Sequence, residues 1–340
     1  MFYSNFYRKE CLFILFSLLA TFLSAYMSMD SVSYQYIFNY YSSSGWKNIA
    51  SEVRGYELFF IVCAKLINGF PSFFWFLIIS FMSVGLKFYV IERSSRNFHL
   101  SLFFYLSYFY VLLDGTQIRV SLAIAIAYLG LYLLSEKKII KSLVLSLLSA
   151  LFFHYSLVFI LLIYAFKNKK TIVFLAGLWP VLILCWWLGV DFLSLSKIIF
   201  SYADQSWVGI DKVNAYLNAY DKNSAPYSLQ FIFLFCASFI TYWHYRDELT
   251  DFEIICFNCV FMSLVVLGLF VGASGFQNRV SEIFRFGMIF IFPLYYRYCL
   301  ELVHKPWIAN VLIGGFLIGY FYYYILRTGL IVWPENWGLY

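Results

Sequence analysis

Apolar runs of about 16–24 residues alternate with short polar stretches over most of the chain. Roughly 20 apolar residues carry a helix across a bilayer. A membrane barrel would show strands of about ten residues alternating in hydrophobicity. The runs here are continuous, so the pattern predicts an all-α, polytopic integral membrane helical bundle of about ten to eleven membrane segments. Cys11–Met29, Ser72–Ile91, Phe98–Leu113, Ile118–Leu134, Thr171–Leu188, Leu229–Tyr245, Phe252–Val271, Glu282–Tyr298 and Trp307–Leu326 read as spans. The whole of 1–340 reads as a single transmembrane domain, with periplasmic loops at 30–55 and 189–228. Within the first loop, Tyr34, Ile37, Phe38 and Tyr41 share helical spacing and predict a surface-lying helix. Gly272–Ser281 reads as a short polar connection.

Two runs do not fit a simple crossing. Tyr56–Phe70 has 15 residues, carries Glu57 and Lys65, and is ended by Pro71. Leu143–Phe166 has 24 residues, with His154 near its middle and lysine clusters at both ends. Basic residues stay in the cytoplasm. Arg8 and Lys9 therefore place the start of the first run inside, as a signal anchor and not a cleaved signal. Strict alternation would then put Arg93, Arg96, Lys137, Lys138 and Lys141 outside. All five move inside if Tyr56–Phe70 does not cross and Leu143–Phe166 folds back as a hairpin with His154 near its tip. In that topology the Asp114–Arg119 turn lies outside, and His154 points towards it.

Composition sharpens the class. Hydrophobic residues make up 63% and charged residues 12%, and the mean hydropathy is +0.77. A soluble chain of this length could not keep that much apolar surface dry. The net charge of +6 sits in short clusters between runs, as topogenic charge and not as a nucleic-acid patch. The seven cysteines lie in or beside apolar runs, so no disulfide framework is implied. Walker, HExxH, GxSxG and Rossmann patterns do not occur.

The candidate chemistry centres on Leu113–Ala127, LDGTQIRVSLAIAIA. An unpaired arginine costs about 2.5–3.5 kcal/mol at the bilayer centre and less near an interface, so Arg119 at a helix mouth points to an anion or a wet cavity. Arg119, Arg279 and Arg285 are cations at the mouths of spans, and Asp30, Glu57, Asp114 and Glu282 are carboxylates there. His154 is the histidine deep in a run. The guanidinium fork suits phosphate oxygens and stabilises charge on a leaving pyrophosphate. A neutral histidine or a carboxylate takes a proton from an attacking hydroxyl. Blander readings stand beside these. Arg119 could pair with Asp114, Arg285 with Glu282 at i, i+3, Asp30 could cap a helix, and His154 could be a satisfied core side chain.

Asp30 with Tyr34 and Tyr36, Glu57 opening the next run, IRVSLAIAIA from Ile118, ALFFHYSLVF from Ala150 and EIFRFGMIF from Glu282 follow one another in a layout that resembles the EpsG group of Wzy-type polysaccharide polymerases. The likeness covers approximately residues 10–300. The family text reads Arg-Gln before the Ala-rich helix; here Val120 follows Arg119 and Gln117 precedes it. The resemblance implies joining of oligosaccharide units carried on undecaprenyl pyrophosphate at the periplasmic face of the bacterial inner membrane. It implies glycosyl transfer without metal or other cofactor, and is compatible with a GT-C-like architecture. His154, Arg119 and Glu57 then become the catalytic candidates, and Asp30, Tyr34, Asp114, Gln117, Arg279, Glu282 and Arg285 the substrate-binding ones. Membrane lipid and a chain-length regulator protein would be partners, and nucleic acid would not. A lipid-linked oligosaccharide flippase, an O-antigen ligase and a membrane O-acyltransferase are the alternatives.

Overall fold

In the computed structural model, residues 2–46, 57–190, 192, 227–322 and 330–331 are described, with side chains for all of these except 2–8 and 274. The architecture among them is helical. α1 (Phe2–Phe22) runs on through a π-turn to Met27, and α2 (Ser31–Ser43) follows. Then come α3 (Leu58–Leu66), α4 (Ser72–Ser94), α5 (Phe98–Leu113) and α6 (Ile118–Ser135). α7 (Ile139–Phe153), α8 (Tyr155–Ala165) and α9 (Lys169–Trp187) form the middle. α10 (Leu229–Tyr245), α11 (Asp251–Leu269), α12 (Ser274–Arg285), α13 (Met288–Val303) and α14 (Pro306–Tyr322) complete the set. The β-type contact among the described residues is an isolated antiparallel bridge, Ser28 to Ile331. Among the described residues, five helices are long and apolar enough to cross a membrane, or six with α12–α13 taken as one bent span; five shorter apolar helices accompany them. This is an all-α polytopic membrane protein.

Both unusual runs behave as their charges required. α3 has nine residues, about 14 Å at 1.5 Å per residue, too short to cross. Residues 143–166 break at His154, whose backbone turns extended (φ −165°, ψ 118°) between the π-turn ending α7 and the 3₁₀ turn opening α8. The Tyr164 hydroxyl lies 2.5 Å from that of Ser142 and 2.9 Å from that of Ser146, so the chain has folded back. The run is a hairpin with His154 at its tip.

The connection before α13 differs from expectation. Gly272–Ser281, read as a loop, is mostly helix, and Arg279 sits on α12 and not on a loop. Phe276, Val280, Ile283 and Phe284 recur at helical spacing and bury one face. The span expected over Glu282–Tyr298 is bent by 66° between α12 and α13. The bend falls at Gly287, where a Cβ would meet the Cys256 carbonyl at 3.0 Å and the Cys259 Cβ at 3.2 Å. The predicted surface helix is α2, whose Tyr34, Phe38 and Tyr41 are buried. The rest of the first loop, nearly all of the 189–228 loop and the last residues of the final run lie outside the described residues.

Lipid tails offer no hydrophobic drive between helices, so close packing and polar contacts must hold the bundle. α6 shows both. A Cβ at Gly130 would stand 3.0 Å from the Ser146 hydroxyl, and the Ser149 hydroxyl donates to the Ala123 carbonyl at 2.8 Å. On another side of α6 is a buried network that includes a cation the sequence reading passed over. Lys87 on α4 reaches both Asp114 carboxylate oxygens (2.6 and 2.8 Å) and is hydrogen-bonded to Ser83 and Ser121. Ser83, Ser121 and Tyr105 hydroxyls donate to Asp114 at 2.6, 2.7 and 2.5 Å. Both charged side chains are 0% exposed. Gly115 lets the following turn close, since a Cβ there would lie 2.7 Å from the Val111 carbonyl. The pair pins α4, α5 and α6 together.

Removing one partner of such a pair strands a buried charge, at a cost of about 3–5 kcal/mol. Lys87→Met should lower the thermal midpoint of the purified protein steeply, and Lys87→Met with Asp114→Asn should recover much of the loss. A double variant no better than the worse single one would count against the pairing. Cysteines placed at positions 138 and 168 of a cysteine-free chain, at the two feet of the hairpin, should label from the same side of the membrane. Labelling from opposite sides would mean that 143–166 crosses once.

Candidate functional site

The site begins with the cluster beneath it. Trp75 and Phe76 on α4, Phe60 on α3, Tyr34 and Phe38 on α2 and Leu122 on α6 form one buried group. Trp75 is wholly buried, with ring centroids 6.1 Å from Phe60, 6.0 Å from Phe38 and 6.3 Å from Tyr34. Lys65 ties the far end of α3 to the end of α2 through the Ser44 hydroxyl (2.6 Å) and carbonyl (3.1 Å). These contacts seat α3 so that Glu57, immediately before its first residue, is 1% exposed.

Glu57 is the hub. Arg119, in the first turn of α6, donates from Nη1 to Glu57 Oε2 at 2.7 Å. His154 Nδ1 lies 2.9 Å from Glu57 Oε1. Phe153 packs on Phe59 at 4.5 Å between ring centroids and holds the hairpin tip against α3. The Arg119 guanidinium also lies over the Tyr34 ring, 5.8 Å from its centre. The side chains of Arg119 and His154 are 22% and 14% exposed, so the cluster opens to a cleft and is not sealed.

A carboxylate paired with a guanidinium stays ionised and can only accept. His154 Nδ1 is then the donor, and a neutral ring keeps Nε2 as its basic nitrogen. Hydrogen bonds to charged groups are worth about 1.5–3 kcal/mol each, enough to fix both partners' orientation.

The other predicted residues fall in three places. Asp30 precedes α2, and its carbonyl accepts from the Tyr34 N–H at 3.0 Å. Its carboxylate makes no capping bond to the helix it precedes. Arg279 on α12 is exposed and within electrostatic reach of His154, and Glu282 is within reach of both Arg279 and Arg285. Arg285 lies further along, donating to the Tyr108 hydroxyl at 3.2 Å beneath the Phe231 ring. Gln117 abuts α6, with its carbonyl taking the Ser121 N–H at 2.9 Å. Asp114 is not in the cleft; its carboxylate is used by Lys87. Arg119 pairs with Glu57 and not with Asp114. Tyr155, which the sequence reading did not single out, is within reach of Glu57; its position next to His154 was the available signal. Among the described residues no group of three or more His, Cys, Asp or Glu side chains could hold a metal ion.

The fold and the cleft thus define a polytopic helical membrane protein whose charged site is assembled from a short non-crossing helix, a span mouth and a hairpin tip. The family model described as the EpsG family matches residues 10–334, nearly the whole chain, and the chain belongs to that family. No curated protein and no solved structure matches it.

Glu57→Gln keeps the size and loses the charge that holds two partners. It should destabilise the protein by about 1.5–3 kcal/mol in thermal unfolding. His154 should also react faster with diethyl pyrocarbonate, read by mass spectrometry. Unchanged stability and reactivity would show that Glu57 does not tether the ring.

Proposed function

We propose that this protein is a polysaccharide polymerase, a glycosyltransferase of the bacterial inner membrane. It joins oligosaccharide units carried on undecaprenyl pyrophosphate at the periplasmic face, in O-antigen or exopolysaccharide assembly. The observation that carries the reading is the Glu57-centred cluster, in which one buried carboxylate orients a histidine and an arginine at one cleft. EpsG family membership supports the same class of reaction.

The chemistry needs two things from the chain. A sugar hydroxyl must lose its proton as its oxygen bonds to the donor's anomeric carbon. The bond from that carbon to the pyrophosphate oxygen must break, leaving growing negative charge. His154 Nε2 is the base in this reading, with Glu57 holding the ring and stabilising the imidazolium that forms. Arg119 and Arg279, both within electrostatic reach of His154, meet the pyrophosphate. Tyr34 and Asp30 border the acceptor sugar, and Glu282 and Arg285 extend the charged lining. A chain-length regulator protein would act on this enzyme from outside the cleft.

His154→Gln keeps a hydrogen-bonding group of similar reach but cannot take the proton. It should insert normally and bind lipid-linked repeat units, yet polymerise them at least ~100-fold more slowly, measured in vitro beside a binding assay. Near-wild-type turnover would exclude the base role and move it to Glu57 or Asp30. Binding of lipid-linked repeat units with no chemistry in the unmodified protein would favour a flippase.

A further inference from the structure

The other end of α6 carries a second charged cavity. Ser135 lies sixteen residues beyond Arg119 on one helix, roughly 24 Å away at 1.5 Å per residue. There a cavity of about 390 Å³ opens between the α6–α7 corner, the α8–α9 corner and the start of α11. Lys137, Lys167 and Lys169 line it, against one carboxylate, Asp251. Lys169 gives one bond to the Arg246 carbonyl at 2.7 Å, and an ammonium has two further donors. Ser135 and Asn168 add polar groups, and Leu134, Ile139, Ile254 and Ile255 form an apolar wall.

The backbone at Lys137 is the second observation. Its N–H bonds to the Leu134 carbonyl at 3.0 Å, and the Lys138 N–H to the Leu133 carbonyl at 2.9 Å. This is the helix-ending motif in which the residue at left-handed φ is usually glycine. Lys137 stands there at φ 63°. A side chain is kept at a strained position, and it faces the cavity. Strain of this kind is retained where surrounding structure or function requires it.

We propose that this cavity binds the phosphodiester headgroup of an anionic phospholipid, in the leaflet opposite the Glu57 cleft. The lysines take the phosphate oxygens, and the isoleucine wall takes the glycerol and the start of the acyl chains. Ile139 and Ile140, 52% and 80% exposed beside the cavity, continue that apolar wall towards lipid, which favours a membrane-borne phosphate over a soluble one. Basic pockets between membrane helices are a known setting for anionic headgroups. The location gives the site a consequence. Lys137 precedes the first arm of the hairpin and Lys167 follows the second, so a bound phosphate bridges the two feet whose tip carries His154. Without an anion, these ammoniums repel one another across the feet.

The test uses the full chain purified in a neutral detergent. Its thermal midpoint is read during titration with dihexanoyl phosphatidylglycerol, dihexanoyl phosphatidylcholine or inorganic phosphate. The phosphatidylglycerol should raise the midpoint saturably, and the other two should not at equal concentration. Lys167→Gln should weaken the apparent affinity about fivefold, the contribution of one lysine beside an anionic headgroup. Lys137→Gly should weaken it similarly while the lipid-free midpoint holds or rises, because glycine is at ease at that φ. That combination separates lost binding from lost folding. Equal responses to the two lipids, or unchanged affinity in both lysine variants, would overturn the site. A phosphate response matching that of phosphatidylglycerol would overturn the lipid assignment and give the cavity to soluble phosphate. No sugar transfer is read, so failure here leaves the reading of the Glu57 cleft untouched.

Discussion

A single buried carboxylate organises one end of this molecule. Glu57 is 1% exposed and has one oxygen on Arg119 and the other beside His154. An ionised group in so dry a place is tolerated only when its partners are close and well aligned. That requirement dictates the geometry around it. α3 must stop short of crossing, so that its first turn faces the cleft. The hairpin must turn at His154 and not run through. The mouth of α6 must lie beside both. The aromatic packing of Trp75, Phe60, Tyr34 and Phe38 supplies the rigid floor on which the three elements meet.

The two ion pairs near the start of α6 make an instructive contrast. Lys87 and Asp114 are both 0% exposed and surrounded by three hydroxyls that donate to the carboxylate. Every strong site on that pair is already used within the protein, so it holds helices and offers nothing to a ligand. Arg119 and Glu57 make an equally short pair, but Arg119 remains 22% exposed and shares its carboxylate with a titratable ring. The first pair therefore fixes the turn from which α6 departs, and the second displays chemistry at its first helical turn.

Much of this was legible in the residues themselves. Run lengths gave the membrane class, because only about 20 apolar residues in a helix satisfy a bilayer. Lysine clusters at both ends of 143–166 called for a hairpin, since basic segments resist translocation, and the Ser142–Tyr164–Ser146 contacts show it folded back. Tyr34, Phe38 and Tyr41 marked the buried face of α2 by spacing alone. Glu57, Arg119 and His154 each stood out because a polar group in an apolar run needs a reason.

Partnership was a different matter, and it belongs to tertiary structure. Asp114 sits five residues from Arg119 in the chain, and local distance favoured their pairing; Lys87, 27 residues away, took the carboxylate instead. Arg119 found Glu57 across 62 positions, and His154 found it across 97. Periodicity reports which face of a helix is apolar, but not which helix lies opposite. The same limit hid the helix of 274–285, where polar residues on one face masked a buried stripe on the other. Charges buried in a bundle pair with whatever the packing brings within about 3 Å, and only the assembled helices decide what that is.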